Sequence, residues 1–492
     1  MNNLNLFKKY FCQAIEAGIT FKNRDNVKTQ YSEKELDDLI KLGNQGCDFE
    51  ELITDFENKV LPKSSNFGST KFMGFPDSGN SPYAIYGSLI EQFLQQNLIN
   101  SSFCAPIATQ MEIEVIQFFR HLLGFEVKDV ETISDVGGII TVGGTSSNSI
   151  AMLLARESHK LGTMRNGVNN PKEYKVVIPK GIGHYSIQSS LMWIGCGANV
   201  IEVETDGYCY NLDCLEETIK KYKGEIMMVV AYAGDSRSMT IEHLRDVYTL
   251  VKQIDNSIWM HVDACNGFCL AFSKKLNSKL DGINLYDSVT MDPHKMLEIP
   301  YTVSALIIKK QENMKLVLTE SDLIMKEKLA FGQITPFIGS KAWISLKLWF
   351  HIKALGKEKI GEMMDSRYSL AQYLKSKLED NENFTVLNNV DAFSVMFVYK
   401  NQNMISVDEI NKINKEIYDC ILSEGEYYIH SFPVSDMMHK ISNNSMVQAL
   451  RFFSGNSDLT KKQIDEVISY IQKLGDSIYY KKPTSSYASK PM

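Results

Sequence analysis

The chain has no C-x-x-C pair, no G-x-G-x-x-G turn, no Walker A loop and no apolar run near the ~18 residues a membrane helix needs. Each gap removes a class. Without the dinucleotide fingerprint a Rossmann dehydrogenase is not expected. The nine cysteines are scattered, and Cys265 and Cys269 have no second His/Cys pair beside them, so no metal site is expected. Scattered thiols fit a reducing compartment. The N-terminus, MNNLNLFKKYF, lacks the apolar core of a secretory signal. A basic excess is missing too: 52 Lys and Arg against 59 Asp and Glu give a formal net charge of -7, which argues against nucleic acid or an anionic membrane as partner. Together these gaps predict a soluble cytoplasmic protein that handles small molecules. No internal repeat is visible, and the one biased segment, YYKKPTSSYASKPM at the end, predicts a disordered tail.

What is present is an ordinary globular balance, 44% hydrophobic and 23% charged over 492 residues, which suits two or three domains. Helical spacing marks Phe7–Ala17, Ser32–Leu42 and Phe49–Val60, with Ser32-Glu-Lys-Glu35 as a capping box. From about Ile90 to Lys310 short apolar runs alternate with helical ones. The strand candidates are Gly138–Val142, Lys175–Pro179, Val200–Val203, Ile226–Tyr232, Trp259–Asp263, Ser288–Met291 and Ser304–Ile308. The helix candidates are Ser147–Leu161, Ile187–Ile194, Asp213–Lys221 and Ile241–Gln253. This alternation predicts an α/β domain with a mostly parallel seven-stranded sheet covered on both faces. In such sheets ligands bind beyond the carboxyl ends of the strands. A helix from about Ser340 to Leu355 leads to a smaller C-terminal α+β domain with a strand at Phe393–Tyr399 and a last helix at Thr460–Gly475. The expected segments are 1–88, 89–355, 356–480 and the tail 481–492.

Four signals sit where that sheet would place chemistry. Gly143-Gly144-Thr145-Ser146-Ser147 joins a strand to a helix, and exposed N–H groups and hydroxyls there suit an anion, although a Ser-capped turn looks the same. Asp263 ends an apolar strand, where a carboxylate pairs with a pyridinium nitrogen or caps the next turn. Lys295, in Asp292-Pro-His-Lys295, follows another strand; desolvation there would lower its pKa and free the amine for a Schiff base. His184, in His-Tyr-Ser, is placed to stack on a flat ring or to cap a helix. The order of phosphate loop, histidine, aspartate and lysine along one sheet edge is more specific than any of the four.

The chain resembles the group II PLP-dependent decarboxylases, the family of the aromatic amino-acid, histidine and glutamate decarboxylases. The likeness runs from about Phe72 to Gly475 through KFMGFP, APIATQMEIEVIQFF, GGTSSNSIAML, HYSIQSSLMWIGCG, HVDACNGF, DSVTMDPHKMLEIPYTVSALI, SLKLWFHIKALG and LRFFSGN. HVDA with DPHK at this spacing is specific. The resemblance implies the aspartate-aminotransferase fold (fold type I) and pyridoxal 5′-phosphate as cofactor. It also implies an L-amino-acid substrate, and a homodimer whose N-terminal helices wrap the partner and whose active site draws on both subunits. It makes Lys295 the Schiff-base lysine, Asp263 the partner of the ring nitrogen and His184 the stacking histidine. Gly144, Thr145, Ser146 and Ser147 become the phosphate loop, with Asp292 and His294 near the phosphate. Arg451 matches an arginine that meets the substrate carboxylate in some members, and Phe75 and Asp77 fall where the family lines the side-chain end of the pocket. Asp77 also suits the turn in PDSGNSP.

The departures matter as well. The family's A-G-T-T is Ala233-Gly-Asp-Ser236 here, Cys265 replaces an alanine, and Ser340-Lys341 stands for a pair of arginines. Counting back from Leu346-Lys-Leu-Trp349, the mobile-loop tyrosine that returns a proton to the reacting carbon is Phe331, and residues 318–340 hold no tyrosine. The expected activity is therefore α-decarboxylation to CO₂ and a primary amine. The first alternative is a decarboxylating aldehyde synthase, prompted by Phe331, and the second is a non-catalytic binding homologue.

Overall fold

The computed structural model describes residues 4–31, 34, 40–319, 321–322, 325–404, 406–442 and 445–481. The expected capping box at Ser32, most of the helix Ser32–Leu42 and the expected tail fall outside these residues. Internal contacts divide the chain into two units. One holds residues 76–372 with 388–395, the other residues 1–75 with 373–387 and 396–492. The N-terminal segment thus groups with the C-terminal strands, and the division runs at Pro76 and Gln372.

The larger unit is built on a sheet of seven strands: β1 (Gly138–Thr141), β2 (Lys175–Pro179), β3 (Val200–Val203), β4 (Ile226–Tyr232), β5 (Trp259–Asp263), β6 (Ser288–Met291) and β7 (Ser304–Ile308). Their spatial order is β1-β7-β6-β5-β4-β2-β3. The β6-β5, β5-β4, β4-β2 and β2-β3 pairs are parallel, and β7 runs against both β6 and β1. All seven residues of β4 are buried, because a strand covered on both faces has no solvent side to alternate with. Helices supply the cover. Leu244–Ile254 buries Leu244, Val247 and Val251, a three- and four-residue spacing that forms one apolar stripe. Gly144–His159 is buried along most of its length. The helical stretch Ser345–Glu379 is two helices that meet in a kink at Gly356, at φ 70 and ψ 167.

Lys341, one of the departures from the family pattern, has a structural explanation. Its Nζ lies 2.8 Å from Glu112 Oε1, donates to Ile140 O at 2.7 Å and sits 5.5 Å from the Phe331 ring centroid. Ser345 Oγ donates to the other Glu112 oxygen at 2.8 Å. Both charges are buried, so removing either strands the other. Glu112→Ala is expected to cost about 3–5 kcal/mol of unfolding free energy in a urea titration; a loss near zero would contradict the packing described.

The smaller unit has a four-stranded sheet in the order β8-β9-β11-β10, with β8 (Phe384–Val386), β9 (Ser394–Tyr399, its first two residues counted with the larger unit), β10 (His430–Ser435) and β11 (Met446–Phe453). Helices Leu4–Lys22, Phe49–Asp55, Val407–Glu424 and Lys461–Lys481 belong to it. Phe49–Asp55 stops short of the expected Val60, because Phe56–Val60 widens into a π turn.

Candidate active site

The carboxyl ends of β1, β2, β5 and β6 deliver Gly144 and Thr145, His184, Asp263 and Lys295 to a single cavity of about 330 Å³. That is at the small end of the ~300–1,000 Å³ typical of small-molecule sites.

Directly after β6, one helical turn, Pro293–Met296, carries Lys295. The turn sets Asp292 and Lys295 three residues apart on one face, and Lys295 Nζ lies 2.9 Å from Asp292 Oδ2. Asp292 is buried and also accepts from Ser304 Oγ on β7. Burial favours the neutral amine, but Asp292, Cys265 and Asp77 outweigh it and hold Lys295 as an ammonium above its usual range. Burial likewise raises Asp292, yet Lys295, His294 and Ser304 leave its carboxyl below the usual range. The expected desolvated amine of lowered pKa is thus corrected: a carboxylate turns onto the lysine. Because only the neutral amine attacks an aldehyde, attachment of the cofactor to Lys295 is expected to quicken as pH rises from 7 toward 9. Stopped-flow absorbance after mixing apoprotein with cofactor checks this, and a pH-independent rate would contradict it.

Asp263, the last residue of β5, is oriented by donors on both oxygens. Cys265 N donates to Oδ1 at 3.2 Å and Asn148 Nδ2 to Oδ2 at 3.0 Å. A hydrogen-bond chain extends behind it. Trp259 Nε1 donates to Ser288 Oγ at 2.8 Å, Ser288 Oγ lies 2.7 Å from His261 Nδ1, and His261 Nε2 lies 3.1 Å from Asn148 Oδ1. The Asn148 amide oxygen only accepts, so the His261 proton sits on Nε2 and Nδ1 accepts from the Ser288 hydroxyl. Burial pushes His261 down to about 4, so it is neutral at physiological pH. Asn148 Nδ2 also donates to Ser186 Oγ at 2.9 Å, and Ser186 Oγ lies 2.7 Å from His184 Nδ1. One asparagine thereby ties the aspartate to the histidine. Burial also lowers the His184 pKa, and its backbone N–H donates to Tyr232 Oη at 2.9 Å.

At the loop after β1, the helix begins at Gly144, earlier than the expected Ser147. A Cβ on Gly144 would come 2.7 Å from Cys265 Sγ and 2.8 Å from Asp292 Oδ2, so only glycine lets the loop lie this close to the lysine turn. Gly144 and Thr145 line the cavity, whereas Ser146 and Ser147 do not. The Ser147 hydroxyl is engaged by Thr141 Oγ1 at 2.7 Å. His294 lines the cavity, with Nδ1 2.6 Å from Val303 O. Asp235, in the departure from A-G-T-T, is buried and caps its own turn, accepting from Arg237 N, Ser238 N and Thr240 N.

Asp77 lines the cavity too, and so does Tyr301, whose phenol is pushed above its usual range by burial and by the neighbouring Asp77. Phe75 and Arg451 belong to the smaller unit. There Arg451 on β11 lies 4.9 Å from the Phe75 ring centroid and donates to Gly74 O at 2.8 Å. Phe331 is fully buried and is not among the cavity-lining residues. Asn148, His261 and Tyr301 were not singled out from sequence. All three stand inside quoted motifs, but nothing in a linear string shows which way such side chains turn.

The donor set fits pyridoxal phosphate: an amine for the aldehyde, a carboxylate for the ring nitrogen, an imidazole beside them and a helix N-terminus for the phosphate. Comparison with known proteins agrees. Residues 32–400 match the pyridoxal-dependent decarboxylase conserved domain. The aromatic-L-amino-acid decarboxylase of Bacillus atrophaeus is 24% identical over 453 residues, 89% of this chain and 88% of that one. The L-2,4-diaminobutyrate decarboxylase of Acinetobacter baumannii is 25% identical over 401 residues, 76% and 74% of the two chains. Mouse CSAD in its apo form superposes with a TM-score of 0.85 at 23% identity, covering 96% of this chain and 98% of that one. The fold is thus that of the type I pyridoxal-phosphate enzymes, and the chain belongs to the pyridoxal-dependent decarboxylase family, whose members remove CO₂ from amino acids.

Proposed function

We propose that the chain is an L-amino-acid α-decarboxylase that releases CO₂ and a primary amine, with Lys295 carrying the cofactor. The observation that supports this best is the meeting of Lys295, Asp263, His184 and the Gly144–Thr145 loop in one cavity. When bound, the cofactor supplies an electron sink for the pair left as the Cα–carboxylate bond breaks. Asp263, held by Asn148 and Cys265, would keep a proton on the ring nitrogen. His184, whose Nδ1 accepts from Ser186 N, would lie against the ring. The helix N-terminus at Gly144 and Thr145 would bind the phosphate, with His294 lining the same cavity. Asp292 holds the Lys295 ammonium until the amine is needed.

A second reading, oxidative release of an aldehyde, rests on the absence of a hydroxyl at Phe331. It takes up one O₂ and one water per substrate and yields aldehyde, CO₂, ammonia and hydrogen peroxide. The buried setting of Phe331, in contact range of Lys341, favours a packing role for that ring and so the amine product. The non-catalytic alternative is disfavoured by the presence of Lys295, Asp263 and His184 together. Peroxide and amine assays on cofactor-loaded protein separate the three.

We also infer a homodimer. Helix Phe49–Asp55 buries no residue, and Ile15, Ile19, Phe49 and Phe56 are exposed in the N-terminal segment. So much apolar surface calls for a partner. Sedimentation should give the mass of two chains, and Ile15→Glu/Ile19→Glu should shift it toward one; a monomeric parent protein would contradict this.

A further inference from the structure

Lys295 is the one Lys or Arg among the described residues lining the cavity, against four carboxylates: Asp77, Asp235, Asp263 and Asp292. Three of the four have fixed employment. Asp235 caps its turn, Asp263 is held by Asn148 and Cys265 N, and Asp292 by Lys295 and Ser304. Asp77 is different. Among the described residues it ion-pairs with no Lys or Arg, and Tyr301 and Lys295 line the cavity with it.

Several contacts tie together the segments that carry Asp77 and Tyr301. Ser81 N donates to Glu298 O at 3.0 Å, and Ser81 Oγ lies 2.8 Å from His351 Nδ1, which ties the Asp77 segment to the chain leading to Tyr301. Glu298 in turn is ion-paired with buried Arg367 at 3.0 Å. Lys347 Nζ donates to Tyr301 O at 3.0 Å, and the Tyr301 ring lies 5.0 Å from the His294 ring. Asp77 is half-buried, so its charge is only partly hydrated. Once Lys295 is committed to the cofactor, its ammonium no longer answers Asp77, and no other Lys or Arg among the described residues lines the cavity to replace it. A carboxylate in that setting favours a cation. A substrate side chain ending in carboxylate or sulfinate would meet like charge there with no cation to receive it.

We propose that Asp77, on the cavity wall with Tyr301, binds a protonated amino group at the far end of the substrate side chain, so that the preferred substrates are L-diamino acids. The proposal rests on the decarboxylase reading for the identity of the site, and it names the substrate class of that site.

The test uses the full-length holoenzyme with L-2,4-diaminobutyrate, L-ornithine, L-lysine, L-DOPA and L-glutamate. Each is titrated while the visible spectrum of the bound cofactor is read, and CO₂ release is measured in parallel. The spectrum gives an affinity whether or not CO₂ appears. The expected result is that a diamino acid binds more tightly than DOPA and glutamate. In Asp77→Asn the diamino-to-DOPA affinity ratio should fall on the order of 30-fold, with a smaller fall in Tyr301→Phe, which keeps the ring. Equal affinities in the parent protein, a preference for DOPA or glutamate, or an unchanged ratio in Asp77→Asn would overturn the proposal. Selective binding of diamino acids without CO₂ release would instead sink the decarboxylase reading and leave this one standing.

Discussion

Lys295→Ala is expected to abolish the visible absorbance of lysine-linked cofactor and to lower CO₂ release by at least ~10³-fold, the scale seen when a covalent catalytic group is removed. Two effects are mixed in that variant, because Asp292 loses its ion-pair partner at 2.9 Å as well. Lys295→Arg separates them. Arginine keeps a cation beside Asp292 but offers no primary amine for attachment. The account expects both variants to lose the absorbance and the activity, and Lys295→Arg to unfold closer to the parent protein than Lys295→Ala does. Retained absorbance in either would place the cofactor on another lysine.

Asp263→Ala is expected to reduce kcat by roughly 10²–10³-fold, the size of losing one preorganised electrostatic group, while the denaturation midpoint moves little by comparison. In the proposed site the carboxylate would pair with the ring nitrogen and stabilise the electron sink, so its loss would weigh on the chemical step more than on binding. The same logic reaches Asn148. That residue touches Asp263 and, through Ser186, His184, and is a positioning residue. Asn148→Ala removes two donated hydrogen bonds, one of them to a charged oxygen worth about 1.5–3 kcal/mol. It should lower kcat by about tenfold and shift the pH dependence of the cofactor spectrum, with Asn148→Gln recovering part of both. A purely structural role would leave the spectrum unmoved. For Asp263→Ala, a near-normal kcat with full cofactor occupancy would remove Asp263 from the mechanism.

The seven strands were legible in the sequence because each central strand is buried on both faces and reads as an unbroken apolar run, β4 being the clearest. Helix ends were less so. Gly143-Gly144 reads as loop, yet the helix opens at Gly144, since close approach to Cys265 and Asp292 matters more there than propensity. By contrast, the helix expected to end near Leu355 does end there: Gly356 takes φ 70 and ψ 167, and a second helix follows the kink. In the smaller unit a single strand was expected, and β8, β10 and β11 were missed: β10 contains Pro433 and buries only Ser431 and Val434, which does not read as a core run.

Among site residues, strand-end chemistry carried Lys295, Asp263 and His184 to one place. Ser146 and Ser147 did not reach the cavity lining, because a helix turns them away once it starts at Gly144. What the string does not show is side-chain direction across distant segments. Asp292 folding onto Lys295, Asn148 linking two motifs and Tyr301 meeting Asp77 all depend on it. That is why the Lys295 charge state was misjudged, and why Asp77 read as a turn residue as readily as a pocket residue.

The most direct measurement is a product balance. Cofactor-loaded protein is incubated with the standard L-amino acids, DOPA and 2,4-diaminobutyrate, and CO₂, amine, ammonia and peroxide are followed together. The account predicts CO₂ with an equal amount of primary amine from at least one substrate, without peroxide, and none of it in Lys295→Arg. CO₂ matched by ammonia and peroxide, or no CO₂ from any substrate with the cofactor bound, would contradict it.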